Sequence, residues 1–322
     1  MHAFRCFLFS REELLIPLTI LRDHSDFHFF PGTVYFYANT GERVMTRELS
    51  RVQKIKQSVV RRFRKELWAP FLNAITKYEL IQPGDKIAVC ISGGKDSMCM
   101  AKLFQQLSRI TEIPFETVFL VMDPGYNPEN RKRIEENAAI LEISITVFET
   151  NIFRVADIQP KSPCYLCARM RRGHLYNKAQ ELGCNKIALG HHLNDAIETA
   201  LMSMMYASKI DTLIPKAHSE NFAGMELIRP MYCIREDDIL AWARYNDLHF
   251  IQCACRFTEG TSNGAVSSKR KEVKELIRSL RQVNPEIEHN MFRALHAVQL
   301  STFPGYKADG VLHSFLETYS KD

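Results

Sequence analysis

No run of apolar residues in this 322-residue chain approaches the ~20 needed to cross a bilayer. The opening Met1-His-Ala-Phe-Arg also lacks a long apolar core followed by a small-residue cleavage site. The expectation is a soluble, cytoplasmic protein with no membrane partner. Nine cysteines make an odd count, and without an export signal a disulfide framework does not explain them. Metal or redox chemistry is the better account of any that cluster. Acidic residues are missing from Arg51 to Lys65, where Arg51, Lys54, Lys56, Arg61, Arg62, Arg64 and Lys65 all carry positive charge. A helix through them would bury Val52, Ile55, Val59, Phe63 and Leu67 and offer a basic face, which suits nucleic acid; a merely solvated charged face is the alternative. The rest of the composition, 46% hydrophobic and 25% charged with a formal net charge of +5, is that of a globular protein and makes disorder the exception.

Residues 1–44 are aromatic-rich, lack a helical period and carry Pro31-Gly32 and Thr40-Gly41 as turn signals; they suggest no function. Met45 opens the basic segment, and the hypothesis is that it is the true start.

Two common phosphate-binding patterns are absent around the apolar run Lys86–Ile91. A Walker A loop would need glycine at 89 and a hydroxyl residue at 96, where the chain has Val89 and Asp96, and the dinucleotide fingerprint lacks its third glycine. The run leads instead into Ser92-Gly93-Gly94-Lys95-Asp96-Ser97. A strand opening through a glycine turn into a helix builds an anion cradle. Gly93 and Gly94 can adopt positive φ and let backbone N–H groups approach a ligand, and the helix aims its unpaired N–H groups and positive dipole end at the same place. Lys95 adds charge, and Ser92 and Ser97 add hydroxyls.

From Gly84 onward strands and helices alternate: strands at Lys86–Ile91, Phe115–Met122, Ser144–Thr150, Lys186–Leu189 and Glu226–Ile228, helices at Ser97–Leu107, Pro128–Leu141, Ala196–Tyr206 and Glu236–Asn246. The fold class expected is α/β, a parallel sheet covered by helices on both faces, with ligands at the carboxyl ends of the strands. The glycine loop, Asp123 and Gly190-His191-His192 all fall at such ends. The domains read as 1–44, an extension of unknown role; 45–82, the basic helical segment; 83–255, the catalytic α/β domain; and 256–322, a basic helical tail carrying Lys269, Arg270, Lys271, Lys274, Arg278 and Arg281.

Cys164 and Cys167 open a helix expected to run to about Leu182 and stop at Gly183. Spacing of three puts both thiols on one face of its first turn, where the dipole and the arginines at 169, 171 and 172 favour thiolates. Cys253-Ala-Cys255, after an expected strand Leu248–Ile251, could complete the site. Three thiolates suit an iron–sulfur cluster with one iron left open, four suit structural zinc, and a redox dithiol at Cys164/Cys167 lacks its usual context. Cys6, Cys90, Cys99, Cys184 and Cys233 read as core or surface residues.

The hexapeptide Ser92–Ser97 resembles the pyrophosphate loop of the PP-loop ATPase superfamily. Taken with Cys164-x-x-Cys167 and its Ala-Arg-Met-Arg-Arg-Gly sequel, Gly190-His191-His192-Leu-Asn194-Asp195-Ala-Ile-Glu198-Thr199, and Ile228-Arg229-Pro230, roughly Glu48 to Gln282 resembles the tRNA 2-thiocytidine synthetase family. That resemblance implies an adenine nucleotide alpha hydrolase-like fold and an ATP-dependent sulfurtransferase that adenylates the base oxygen of cytidine 32 in the tRNA anticodon loop and replaces it with sulfur. It implies ATP, Mg²⁺ and a [4Fe-4S] cluster as cofactors. Ser92, Gly93, Gly94, Lys95, Asp96 and Ser97, with Asp123, Gly190 and His191, would bind the nucleotide. Cys164, Cys167 and Cys253 would hold the cluster, with Cys255 a rival for the third place. Asp195 keeps a catalytic carboxylate where the family pairs two aspartates and this chain has Asn194-Asp195; a helix N-cap is its alternative role. The implied partners are tRNA and a sulfur donor such as a cysteine desulfurase, with a homodimer left open. A PP-loop ligase or amidotransferase with structural zinc and a non-catalytic nucleotide-binding module are the rival readings. Intact-mass measurement of the natively expressed protein is expected to return a chain beginning at Met45; a mass that includes Met1 to Val44 would end that hypothesis.

Overall fold

The structure, a computed structural model, describes residues 35–37, 43–45, 49–153, 163–251 and 269–319. The chain separates into two compact units, Met1–Leu49 and Ser50–Asp322. In the first, β1 (Tyr35–Tyr37) pairs antiparallel with β2 (Arg43–Met45), Tyr35 opposite Met45.

The second unit is organised by a six-stranded sheet. Its strands are β3 (Lys86–Ile91), β4 (Glu116–Asp123), β5 (Ile145–Glu149), β6 (Lys186–Ala188), β7 (Lys216–His218) and β8 (Glu226–Ile228), in the spatial order β5-β4-β3-β6-β8-β7. All neighbours run parallel except the edge strand β7, which is antiparallel to β8. The all-parallel expectation therefore needs this correction: three residues, Lys216-Ala-His218, carry no alternating apolar pattern from which a strand could be read. Side chains of β3 alternate between two cores, as a two-residue repeat requires. Ile87, Val89 and Ile91 pack with Phe71, Phe104 and Trp242 on one face. Ala88 and Cys90 pack with Tyr176 and Ala179 on the other. Helices thus cover both faces: α1 (Arg51–Gln57), α2 (Ala69–Lys77), α3 (Lys95–Ile110), α4 (Pro128–Ile140), α5 (Pro163–Glu181), α6 (Leu193–Ala207), α7 (Glu236–Tyr245), α8 (Lys269–Val283) and α9 (Ile287–Ala294). Among the described residues no helix is long and apolar enough to cross a membrane.

The basic segment is helical and lies within this second unit. Ser50 and Gln53 form a capping box at its start. Ile55, Val59, Phe63, Leu67 and Phe71 are buried, and all seven basic residues from Arg51 to Lys65 are exposed. Val52, expected on the buried face, is half-buried. A spacing of four drifts about 40° past each full turn of an α-helix. The chain offsets that drift with wide π turns over Ser58–Arg62 and Arg64–Trp68. Ser58 anchors the helix, its hydroxyl accepting from Trp242 Nε1 at 3.0 Å and Asn246 Nδ2 at 3.1 Å.

Past β8 the expected strand Leu248–Ile251 is irregular chain. The Leu248 N–H closes the end of α7 on Ala243 O, and Asn137 of α4 donates to His249 O at 2.9 Å. With backbone groups taken up by a helix end and a side chain, the apolar run packs against the core without joining the sheet. The C-terminal region is helical as expected in α8 and α9, then adds an antiparallel hairpin, β9 (Gly305–Ala308) with β10 (Val311–Ser314), and a last short helix α10 (Leu316–Tyr319). On α6, Leu193, Ala196 and Ile197 pack with Val273 and Ile277 of α8 and Phe292 of α9.

Among the described residues one buried lysine forms no ion pair. Lys102 of α3 is fully buried and donates to Gln105 Oε1 and Leu141 O, each at 2.8 Å. Burial, reinforced by Arg109, pulls its pKa down to about 8 from 10.5. Between those values the unfolded chain retains a proton that the folded protein has released, so stability rises with pH. Urea unfolding from pH 8 to 10.5 is expected to show a rise on the order of 3 kcal/mol across the window, flattened in Lys102→Met.

Candidate active site

Strands β3 and β6 are neighbours at the centre of the sheet, and the chain leaves them in opposite directions, toward β4 and β5 on one side and toward β8 and β7 on the other. Their carboxyl ends therefore open a crevice of the kind that binds ligands in open α/β sheets. The Ser92–Ser97 loop follows β3 into this crevice, and Gly190-His191 follows β6.

The loop is closed on itself. The Ser92 N–H donates to Ser97 Oγ at 3.1 Å, the two hydroxyls lie 3.2 Å apart, and Ser97 Oγ donates to Gly94 O at 3.0 Å. Gly93 sits at φ +83°, and a Cβ there would come 2.5 Å from Ile134 Cγ1 and 2.8 Å from Ile251 Cδ1. Gly94 is the N-cap of α3 and provides no side-chain cap, while the first intrahelical bond is donated by Met98. The N–H groups of Lys95, Asp96 and Ser97 are thus left for an anion. Gly190 allows the second wall to approach: a Cβ would lie 3.2 Å from both Asp96 C and Ser97 N.

A cavity of about 520 Å³ lies between these walls, lined by Ser92, Asp96, Ser97, Gly190, His191 and Asp195 of the expected set. Tyr126, Arg171, Arg172 and Arg229 also stand on this wall; the three arginines fall within motifs read from the sequence, but none was given a place at the nucleotide site there. Asp96 Oδ1, Arg171 Nε, His191 Nδ1 and Arg229 Nε are buried and have no hydrogen-bond partner among the described residues. Unpaired buried polar atoms are costly, and four of them around one cavity mark a place built for a polar ligand. Burial, with help from Arg229 and Arg270 and against Asp195, lowers the His191 pKa to about 4, so the imidazole is neutral at pH 7.

Other expected residues stand elsewhere. Lys95 lies outside the cavity wall, its Nζ bonded to Glu236 Oε1 at 2.9 Å and Asp96 Oδ2 at 3.1 Å. Asp123 ends β4, but its Oδ1 accepts from the N–H groups of Gly125 and Tyr126 and its Oδ2 from Arg131. Against burial, those donors hold its pKa below the ordinary value. Its observed work is to fix the turn whose Tyr126 hydroxyl donates to Ser92 O at 3.3 Å. Asp195 is neither isolated nor the N-cap of α6. His192 is the N-cap, and Asp195, three residues on, completes the capping box through Oδ2. Its Oδ1 accepts from Arg270 at 3.0 Å. Burial would raise its pKa, but His192, His191 and Arg270 keep it low. Asn194 holds the Glu236 N–H at the start of α7.

These contacts belong to a chain of alternating charge that single motifs did not announce. Lys95 meets Glu236, Glu236 meets Lys274 at 3.0 Å, Lys274 lies 3.6 Å from Glu198, and Arg270 lies 3.8 Å from Glu198 and 3.0 Å from Asp195. Lys95 and Lys274 overcome burial and hold Glu236 at about 2, whereas burial and the nearby Asp195 lift Glu198 to about 7 despite Lys274. The residues lie as far apart in sequence as Lys95 and Lys274, so only the fold brings them together.

Of the proposed cluster ligands, positions 164 and 167 fall within the first turns of α5, and Cys253, like Cys255, lies outside the described residues. Among the described residues no group of three or more His, Cys, Asp or Glu side chains is placed to hold a metal. Cys90, Cys99 and Cys184 are free and buried and Cys233 is half-buried, in keeping with packing roles. Cys6 lies outside the described residues.

The profile of the PP-loop domain family matches residues 62–279. A tRNA-cytidine(32) 2-sulfurtransferase of Geobacter metallireducens is 33% identical over 231 residues, covering 70% of this chain and 87% of that protein. The enzyme of the same name from Geobacter sulfurreducens is 34% identical over 256 residues, covering 77% and 91%. The chain belongs to the PP-loop family of tRNA 2-thiocytidine synthetases. The fold agrees: the U34-tRNA thiolase NcsA from Methanococcus maripaludis, solved with its [4Fe-4S] cluster, superposes with a TM-score of 0.57 at 20% identity over 71% of this chain and 78% of that one. In this PP-loop chain, Gly190→Ala must push the β6 end away from the phosphate turn. Calorimetric titration is expected to show ATP affinity reduced at least tenfold, about 1.4 kcal/mol, with the melting temperature lowered by only a few degrees.

Proposed function

We propose that this protein is an ATP-dependent tRNA sulfurtransferase that forms 2-thiocytidine at position 32 of the anticodon loop. The observation that carries the reading is that the anion-binding turn of α3 and the arginines of α5, the helix that bears Cys164 and Cys167, line one cavity. Positions 164, 167 and 171 are three and seven residues apart and share a helix face. Arg171, which lines the cavity, is one turn, about 6 Å, beyond Cys167.

The residues present fit each implied group. The free N–H groups at 95, 96 and 97 suit the phosphates of ATP, and the bonded hydroxyls of Ser92 and Ser97 hold the turn in shape. Asp96 Oδ1, buried and unpartnered, is an oxygen donor of the type Mg²⁺ takes. The third thiolate would come from Cys253, two residues after Ile251 in the sequence, and Ile251 borders Gly93. A [4Fe-4S] cluster on Cys164, Cys167 and Cys253 would supply an iron with an open coordination position, able to carry sulfur to the activated base.

The protein's own groups then have distinct tasks. The turn holds the β and γ phosphates and stabilises the charge that grows as the cytosine O2 attacks the α phosphate and pyrophosphate leaves. Neutral His191 and the Asp195–Arg270 pair border the reacting centre and orient the base. Sulfide attack at C2 afterwards expels AMP. The exposed basic residues of Arg51–Lys65, with Arg169, Arg172, Lys269, Lys271 and Arg278, grip the tRNA backbone. A cysteine desulfurase is the proposed sulfur donor and the cytoplasm the proposed location.

Protein purified without oxygen is expected to be brown, and tRNA nucleosides from cells lacking the gene to have lost 2-thiocytidine. Cys164→Ser should abolish both colour and thiolation while ATP still binds. Colourless protein with zinc, or unchanged nucleosides in the deleted strain, would overturn the reading.

A further inference from the structure

The motif Ile228-Arg229-Pro230 has no task in the scheme above, and its arginine points to one. Arg229 follows β8, the strand beside β6, and its guanidinium is clamped from one side by the bond from Nη1 to Ile214 O. The backbone is fixed too, Arg229 N–H donating to Pro215 O at 2.8 Å. Its Nε faces no partner. Arg171, from α5, lies with its guanidinium 5.3 Å from the Phe153 ring centroid, and its Nε is likewise buried and unpaired. Arg172 lines the same cavity from an exposed position. Among the described residues no carboxylate forms an ion pair with any of the three. Each carboxylate on the cavity wall already has a cation of its own, Asp96 in Lys95 through Oδ2 and Asp195 in Arg270 through Oδ1.

Cations gathered in one cavity without an ion-pair partner repel one another and lose hydration. Burial, and then Arg172, push the Arg229 pKa down, opposed by Tyr232, Tyr176 and Asp195. Such a cluster is balanced by an anion, and paired guanidinium forks match the oxygens of a phosphate group. These donors are a different set from those of the helix turn. The turn has its own donors on α3, while these arginines come from α5 and β8.

We infer that Arg171 and Arg229, with Arg172 at the mouth, form a second anion subsite that holds a phosphodiester of the RNA beside the nucleotide undergoing thiolation. The inference rests on the proposed function. A base can reach a reactive centre inside a cavity only if its nucleotide leaves the stack, and a flanking phosphate then comes to the mouth with it. The direction of the charge favours RNA as the source over ATP. Arg169 and Arg172 are exposed and Arg171 is half-buried on the same helix, so positive charge runs from solvent into the cavity along α5. Exposed Ile210 and Ile214 stand beside Leu213, which lines the cavity, and offer apolar surface to an unstacked base.

The test uses an anticodon stem-loop containing cytidine 32, with each phosphodiester near the target replaced in turn by an uncharged methylphosphonate. With the wild-type protein, one linkage is expected to weaken binding about tenfold when neutralised. With Arg229→Gln, the unmodified RNA should bind about tenfold more weakly, the same methylphosphonate should add no further loss, and ATP affinity should change less than twofold. Arg229→Lys should recover part of the RNA affinity, and Arg171→Gln provides an independent variant if Arg229→Gln does not fold. A tenfold loss of ATP affinity with RNA binding intact would assign the arginines to the nucleotide and overturn the inference. So would RNA binding to which no single linkage matters. A wild-type protein that binds no RNA at all would overturn both this inference and the function on which it rests.

Discussion

The site depends on one close approach. The chain leaving β6 passes so near the first turn of α3 that a single Cβ at residue 190 would press on Asp96 and Ser97. Only because that position is glycine can the N–H groups at the helix start and His191 face the same space. The cavity then sits on the seam between two neighbouring strands whose connections diverge, well inside both edges of the sheet. The helix dipole, the neutral imidazole and the arginines act together because they share this small volume, which is partly closed to water.

Most of the scaffold could be read in the chain before it folded, for a simple reason. Buried parallel strands such as Lys86–Ile91 are continuous apolar runs, and helices such as Pro128–Ile140 begin at a turn residue with proline after it, so their signals are local. The phosphate turn was legible because its glycines and its position between strand and helix carry the chemistry within six residues. What escaped was non-local. The three-residue strand Lys216–His218 forms by pairing with β8 and has no pattern of its own. Leu248–Ile251 has the residues of a strand, but neighbouring helices claim its backbone groups.

The same divide runs through the site. His191 and Asp195 lie within one motif and are legible together, though the partner of Asp195 in the capping box, His192, reverses the capping role expected for the aspartate. Lys95 was expected to face the ligand, and in the folded protein it is held by Glu236, a residue whose importance is visible only once α7 is packed beside α3. Glu198, Arg270 and Lys274 belong to the same network. Glu198 stood in the Gly190–Thr199 motif and Arg270 and Lys274 in the basic tail, but nothing in the sequence joined the two.

The alternation of α and π turns between Arg51 and Trp68 has a consequence for charge as well as packing. Since Ile55, Val59, Phe63, Leu67 and Phe71 stay in a straight line against the core, the opposite side cannot wind away from solvent either. The arginines and lysines from Arg51 to Lys65 therefore form an unspiralled rail, about 20 Å long. Deleting one residue from it would swing everything beyond by roughly 100°, burying guanidinium groups and surfacing phenylalanine, so its length is as constrained as its composition.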